Sequence, residues 1–529
     1  MDRPRLIGDL ADELLSAILS FLVPGTSASM GRDCYENHQQ HRSSEKIEDN
    51  ASCYGERTDL DRFRLVCKRF MRIGTPQMFS RFVLRFSNEG FKRLEDLLNM
   101  QLACHTRYFT YMVRPFYRGH GWKRFLDDVN SKTPKVSELH RLRLKEQNAL
   151  VESGYDLKLL KQAMAAFTSL QQVKLLRLQD EADEEIFECI RIRGINEEHV
   201  CLDWEPACSR AVTNLAAALL ESSSISCRFI GPQVSPEAAL KLVHTPKMIL
   251  SALATRLTCL DVNFHSTKDV SFIMEELSDV FRTFFTAAQN LVTVNLGFPA
   301  KLPLDLRLED IFHRDVQMKK LKTLGIQGWR LNADEIIDLL RRHLDQWSSQ
   351  LRELRLCNIY LRDGSRWRDV LAMLHDEMKH LERVDLRDVD YCNNFDIELI
   401  SNGIEVHNLH EADPPPPQPL LPSSLEVTNG DGDGDGGEDQ QLLPLFSSTA
   451  NNNHHSNNNN GTHFLTILHQ ERHWCPELYY HALGMTPDEL RSLTADELGD
   501  NGTRVTREQR LLWEAWVVSS SRRGRGAER

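Results

Sequence analysis

The hexamers LRELRL at Leu351 and LERVDL at Leu381 share an LxxLxL spacing that recurs at Leu321 (LKTLGI), Leu291 (LVTVNL) and Leu257 (LTCLDV). Their starts advance by a nearly constant step of about 30 residues, the period of a repeat architecture. Two further matches, at Leu139 (LHRLRL) and Leu170 (LQQVKL), are separated by a similar step. A pattern of this period constrains the fold more than any other feature, because each unit can bury its apolar face only against its neighbours. Apolar residues at helical spacing lie between the hexamers: Phe272, Ile273, Leu277, Val280, Phe281, Phe284 and Phe285, then Ile336, Ile337, Leu339, Leu340 and Leu344, then Val370, Leu371, Met373 and Leu374. Strand, helix and strand at this interval predict an α/β chain whose repeats form a parallel strand-helix solenoid over residues 136–410. Between 170 and 257 the register is obscure, and ISCRFI, ending at Ile230, reads as one divergent strand.

Alternation within each hexamer assigns the two faces of the sheet. The three apolar positions point into the core, so the third, fifth and seventh residues are expected on the other face, open to solvent. These are Glu353, Arg355 and Cys357, then Arg383, Asp385 and Arg387, with Thr323, Gly325, Gln327 and Thr293, Asn295, Gly297 on the preceding strands. Arg355, Arg383, Asp385 and Arg387 are the residues expected to bind a target protein.

Composition narrows the classes. Lys and Arg total 64 against 76 Asp and Glu, a net charge of −12, which argues against a nucleic-acid partner. No apolar run approaches the roughly 20 residues of a bilayer span, so no membrane association is expected. Arg3 and Arg5 precede an apolar stretch as in a secretory signal, but Asp9, Asp12 and Glu13 interrupt it. The 12 cysteines include no CxxC pair and read as reduced thiols of a cytoplasmic or nuclear protein.

Along the chain, Leu10, Leu14, Leu15, Ile18, Leu19 and Leu22 define one apolar helix face, and helical spacing returns at Leu60, Phe63, Leu65, Val66 and Phe70. Residues 1–85 thus form an N-terminal helical domain, interrupted by a disordered insertion at 24–57 rich in Ser, Asn, Gly and charge. Thr75-Pro76 is expected to open a further short element. Residues 86–135 read as a connector. Beyond the repeats, 411–462 is a Pro, Gly, Asp and Asn-rich linker, 463–518 a helical segment with capping boxes at Thr486 and Thr494, and 519–529 a basic tail.

Catalytic strings are missing: the chain has no GxxxxGK, GxSxG or HExxH. Asp431, Asp433, Asp435 and Gly436 imitate the start of a calcium loop, but its twelfth position is Leu442. His469, His473, Cys475 and His481 lack the second ligand pair of a structural zinc site. Cys67, beside Lys68 and Arg69, reads as a buried structural thiol. No enzyme activity, cofactor or metal is expected.

One resemblance adds to this. LADELLSAILSFL (Leu10 to Leu22) followed by DLDRFRLVCKRFMRIGTPQMFSRFVL (Asp59 to Leu84) resembles the F-box, a helical motif that docks on the Skp adaptor of cullin-RING ubiquitin ligases. LVCKRF and the later Thr75-Pro76 with Phe79 carry the match. The usual Leu-Pro opening is Leu10-Ala11 here, and the insertion at 24–57 lengthens a short connection, which loop-closure entropy tolerates at roughly 0.6 kcal/mol per doubling. The resemblance covers a small part of the chain and implies adaptor contacts by Leu10, Leu14, Leu15, Ile18, Leu22, Leu60, Leu65, Val66, Cys67 and Phe70. The repeats are similar to degenerate leucine-rich repeats, without the Asn or Cys usual after the last strand position. Together these imply a non-catalytic substrate receptor that joins an unidentified target to a Skp-type adaptor and, through it, a cullin. A leucine-rich-repeat scaffold unconnected to ubiquitin ligation is the alternative.

Overall fold

The computed structural model describes residues 7, 10–22, 59–131, 133–194, 196, 198–222, 226–264, 269–343, 350–401 and 483–521. The expectations for 24–57, for the linker 411–462, for the calcium-like and histidine-rich strings and for the basic tail beyond 521 lie outside these residues. The chain divides into two compact units, Met1–Phe395 with Arg472–Arg529, and Asp396–Glu471. The first carries every described strand.

That unit is a mixed α/β body with a mostly parallel sheet and many helices. Its strands are β1 (Arg81–Arg85), β2 (Tyr108–Val113), β3 (Phe116–Arg118), β4 (Gln172–Arg177), β5 (Cys201–Asp203), β6 (Cys227–Val234), β7 (Leu257–Phe264), β8 (Thr293–Gly297), β9 (Thr323–Leu331), β10 (Glu353–Leu361), β11 (Arg383–Asp385) and β12 (Asp390–Tyr391). Ten of them make one sheet in the order β1-β2-β4-β6-β7-β8-β9-β10-β11, with β12 also paired to β10. Every pairing in it is parallel. Among the described residues β1 and β11 end this path, so no barrel closes. β3 and β5 form a separate antiparallel ribbon.

From Leu257 onward strand order follows chain order because each hexamer supplies one strand beside the last. Thr293, Thr323, Glu353 and Arg383 are successive register partners, each one repeat further along the chain. The apolar triplets fall where the spacing puts them: Leu351, Leu354 and Leu356, and likewise Leu381, Val384 and Leu386, are at most 1 % exposed. Burial of each such side chain is worth about 1.5–3 kcal/mol, which fixes the register, since a one-residue slip would expose all of them. The divergent strand before Ile230 is β6, paired with both β4 and β7.

A second signal with the same period lies in the backbone. Gly328, Asn358 and Asp388 all have positive φ, at 71°, 50° and 51°. Gly, Asn and Asp are the residues that enter this region at least cost. At Gly328 a side chain is excluded outright, because a Cβ would lie 2.3 Å from the Phe298 carbonyl oxygen.

Four expectations need correction. The hexamer at Leu139 is no strand but part of a long helix, Pro134–Ser153. Pro134 suits its first turn, Gly154 closes it at φ 60°, and the Lys, Glu, Arg and Leu content favours helix. The connector 86–135 carries β2, β3 and the helices Asn88–Asn99 and Trp122–Asn130, so the sheet starts well before the repeat can be read. The short element expected from Thr75-Pro76 begins later, as β1 at Arg81–Arg85; Pro76 itself sits in the last turns of the helix Lys68–Met78. The helical spacing at Leu60 to Phe70 is two helices, Asp59–Arg64 and Lys68–Met78, broken at Leu65 and Val66.

The C-terminal segment completes the far end of the sheet. Capping boxes form at Thr486 and Thr494 as expected, and a third at Thr506 starts the helix Arg507–Ser519. Trp513 and Trp516 of that helix are buried, the latter stacked on His375 at 4.0 Å. The buried Glu514 carboxylate accepts the Leu386 N–H at 2.7 Å, directly after β11. Tyr391 donates to Asp500 at 2.5 Å, and Arg510 and Arg368 pair with Asp388 and Asp496. The segment thus covers apolar surface beside β11 at this end of the sheet.

Candidate functional site

The ten N-terminal candidates separate into two groups. Leu15 is fully buried, as is Leu19 one turn further on; Leu60 and Phe70 are nearly so, and Phe70 stacks on Phe63 with ring centroids 4.3 Å apart. These hold the helices together. Leu14 and Ile18, one turn apart on the helix Asp12–Leu22, are 55 % and 39 % exposed, and Leu65 and Val66 are 65 % and 66 % exposed. Leu10 is half-buried, and the side chain of Leu22 lies outside the described residues.

Electrostatics fixes how the first helix meets the third. Arg69 donates to Asp12 at 2.8 Å and to the Leu10 carbonyl at 2.6 Å, while Arg72 donates to Asp12 at 2.7 Å. The Arg69 hydrogen bond holds the Asp12 carboxyl below its usual range. Cys67 is exposed, which corrects the expectation of burial. It occupies the N-cap of Lys68–Met78, where extended backbone at φ −162° turns it outward and its Sγ accepts the Phe70 N–H at 3.5 Å. Met71, one turn after Cys67, is 49 % exposed and belongs with the outward apolar set. The i, i+4 spacing from Cys67 carried that signal in the sequence.

The target-binding candidates fare differently. Arg355 and Asp385, expected to face solvent, are 7 % and 8 % exposed. Side chains on neighbouring strands stand about 4.8 Å apart and shield one another. Arg355 donates to Glu353 at 2.8 Å, and Arg387 donates to Asp385 at 2.8 Å. Arg383 also pairs with Glu353, at 3.3 Å. Arg383 and Arg387 keep 27 % and 36 % of their side-chain surface exposed, so only these two of the four present charge. Cys357, Asn295 and Gln327 are buried as well.

Other charged clusters tie elements of the fold together. Asp183, 2 % exposed, accepts from Arg114 at 2.6 Å and Arg143 at 2.8 Å, and both arginines also pair with Asp180. Burial raises both carboxyls, but hydrogen bonds from Arg143 and Arg114 hold Asp180 below its usual range while Asp183 ends above it. Beside them His140 Nε2 donates to the Ala182 carbonyl at 3.0 Å, so Nδ1 accepts from the Tyr117 hydroxyl at 2.7 Å. Burial lowers the His140 pKa to about 4, leaving it neutral. Burial likewise pushes the thiols of Cys227 and Cys259 up to about 12 and 11, which leaves neither as a thiolate nucleophile at neutral pH. Among the described residues no group of His, Cys, Asp and Glu is arranged to hold a metal ion, and no helix is long and apolar enough to cross a membrane.

No known family model matches the chain, and no curated protein matches it either.

Proposed function

We propose that this chain is the substrate-recognition subunit of a cullin-RING ubiquitin ligase, with an F-box unit at its N-terminus that binds a Skp-type adaptor and a leucine-rich-repeat-like solenoid that holds a target protein. The observation that carries this proposal is the outward apolar set Leu14, Ile18, Leu65 and Val66 on helices whose other faces are already packed. Single exposed leucines are ordinary, but large apolar side chains concentrated on one small helical unit mark a protein-binding surface. The F-box resemblance supplies the partner. One parallel strand per repeat, each beside its predecessor, supports the solenoid.

Catalysis in such an assembly is proximity. The N-terminal helices fix the chain on the ligase, the array holds the target, and transfer is performed by the ligase's own components, so the gain is effective concentration. Leu14→Asp tests the dock. It places a carboxylate in the interface, costs several kcal/mol there and leaves the packed side of the helix intact. Loss of co-purification with the Skp-type adaptor by a folded Leu14→Asp variant is expected. Unchanged co-purification would reject the F-box assignment, and absence of binding by the parent chain would favour a scaffold unconnected to ubiquitin ligation.

A further inference from the structure

The sheet changes its charge along its length. On β1, β2, β4 and β6 the charged residues are Arg81, Arg85, Lys174, Arg177 and Arg228, with no Asp or Glu among them, in a chain whose net charge is −12. Arg177 turns to the helices, where its guanidinium lies over the Trp204 ring at 4.8 Å. The other four share the opposite face. Leu84 on β1, Val173 and Leu175 on β4 and Cys227 on β6 belong to the core, so alternation puts Arg81, Val83 and Arg85, then Gln172 and Lys174, then Arg228 on the reverse side. Acids enter this face from β7 onward, at Asp261, Glu353 and Asp385.

Register gathers these side chains into one patch. Thr110 on β2 pairs with Val83 on one side and with Lys174 on the other, and Lys174 pairs in turn with Ile230. Arg228 is the partner of Gln172, so Lys174 and Arg228 stand diagonally on adjacent strands, at about 7–8 Å. Like charges so placed repel each other. Lys174 forms no ion pair or side-chain hydrogen bond among the described residues, and Arg228 lies beside the Cys259 thiol rather than a carboxylate. The surface is also within reach: Arg81 is exposed, Val83 is 41 % exposed, and Tyr108, Thr110, Met112, Lys174 and Arg228 are half-buried. The Lys174 ammonium is not enclosed.

We propose that this half of the face binds an extended acidic segment of the target, its carboxylates set against Lys174, Arg228 and Arg81. Along β1 the outward order is Arg81, Val83, Arg85: charge, apolar, charge at alternate positions. An extended chain repeats its own side chains on one side at the same interval, about 6.5–7 Å, so acids separated by an apolar residue match the strand in step. Tyr108, the aromatic ring of the patch, already carries the Arg81 guanidinium at 5.5 Å, an arrangement that suits carboxylates better than stacked bases. The proposal rests on the receptor function argued above and names the chemistry of the target.

The test is fluorescence anisotropy of labelled hexaglutamate titrated with the full chain at low salt, with hexaglutamine and a thymidine hexanucleotide in parallel. Saturable binding of hexaglutamate is expected, weakening as salt is raised. Lys174→Glu and Arg81→Glu should each weaken it about fivefold or more, whereas Lys123→Glu, on the exposed side of the helix Trp122–Asn130, should not change it. The melting temperature of Lys174→Glu should hold or rise, because the substitution removes one of two neighbouring like charges. Absence of hexaglutamate binding, or equal binding of hexaglutamine, overturns the proposal. An equal loss in Lys123→Glu shows attraction to the whole surface and overturns the site, and tighter binding of the hexanucleotide overturns the ligand class. Adaptor binding by the same preparations is scored separately. A chain that takes hexaglutamate but not the adaptor keeps the patch and loses the ligase, and the opposite result does the reverse.

Discussion

Replacing Trp516 by Ala should release the C-terminal clasp without unfolding the sheet. Trp516 is 2 % exposed, stacks on His375 of the helix Trp367–Glu377, and donates from Nε1 to the Leu493 carbonyl at 3.0 Å. Truncating a buried Trp to Ala costs about 3–5 kcal/mol, and a carbonyl left unpaired adds to the upper end of that range. At about 1.4 kcal/mol per factor of ten, a loss of about 4 kcal/mol raises the population of the opened segment roughly a thousandfold. The reporter is the Leu386 amide, whose hydrogen is held by Glu514 on the same helix as Trp516. Hydrogen exchange followed by mass spectrometry should show peptides spanning β11 and the helix Trp367–Glu377 losing protection, while peptides from β2 and β4 keep theirs. Unchanged exchange at β11 in a variant whose Arg507–Ser519 helix has frayed would refute the claim that this segment covers the sheet's end.

The neighbours Leu14 and Leu15 should part company: Leu15→Ala, at a fully buried site, should cost about 2–5 kcal/mol in denaturant unfolding, whereas Leu14→Ala should stay within about 0.5 kcal/mol and weaken adaptor binding instead. Asp183→Ala removes a carboxylate shared by Arg114 and Arg143 and should destabilise by about 3 kcal/mol or more, read from the shift in urea midpoint. His140 and His343 are both lowered to about 4 by burial, so the folded state resists their protonation. Their contribution is therefore complete above the unfolded value of about 6.5 and is lost as pH falls toward 4, at up to about 1.4 kcal/mol per pH unit for each. A flat melting temperature between pH 6.5 and 4.5 would contradict this.

Much of the sheet was legible because the LxxLxL spacing is a direct consequence of period-two alternation with one buried face. The strands β7 to β11 sit where the hexamers place them. The hexamer at Leu139 misled for an equally physical reason: Leu139, Leu142 and Leu144 satisfy strand and helix spacing alike, and only Pro134 and Gly154 distinguish the two. β2 was not read because it carries no LxxLxL hexamer and its partners, β1 and β4, lie far from it along the chain. The positive-φ series Gly328, Asn358 and Asp388 was in plain view at the repeat interval but reads as three unrelated residues until the backbone is seen. Site residues were legible as a set but not in their division. Spacing places Leu14 and Leu15 on one apolar helix, and only packing decides that one faces the core and the other solvent. Arg355 and Asp385 were misassigned because alternation predicts which face a side chain takes, not how far its neighbours shield it.

The central claim is adaptor binding through the outward apolar set, and calorimetric titration of the unmodified full chain with purified Skp-type adaptor tests it most directly. Binding that is saturable, has a negative heat-capacity change from apolar burial, and is lost in Leu14→Asp and Val66→Asp is the predicted result. No detectable heat at any temperature, with a folded chain and an adaptor active toward another F-box partner, would contradict it.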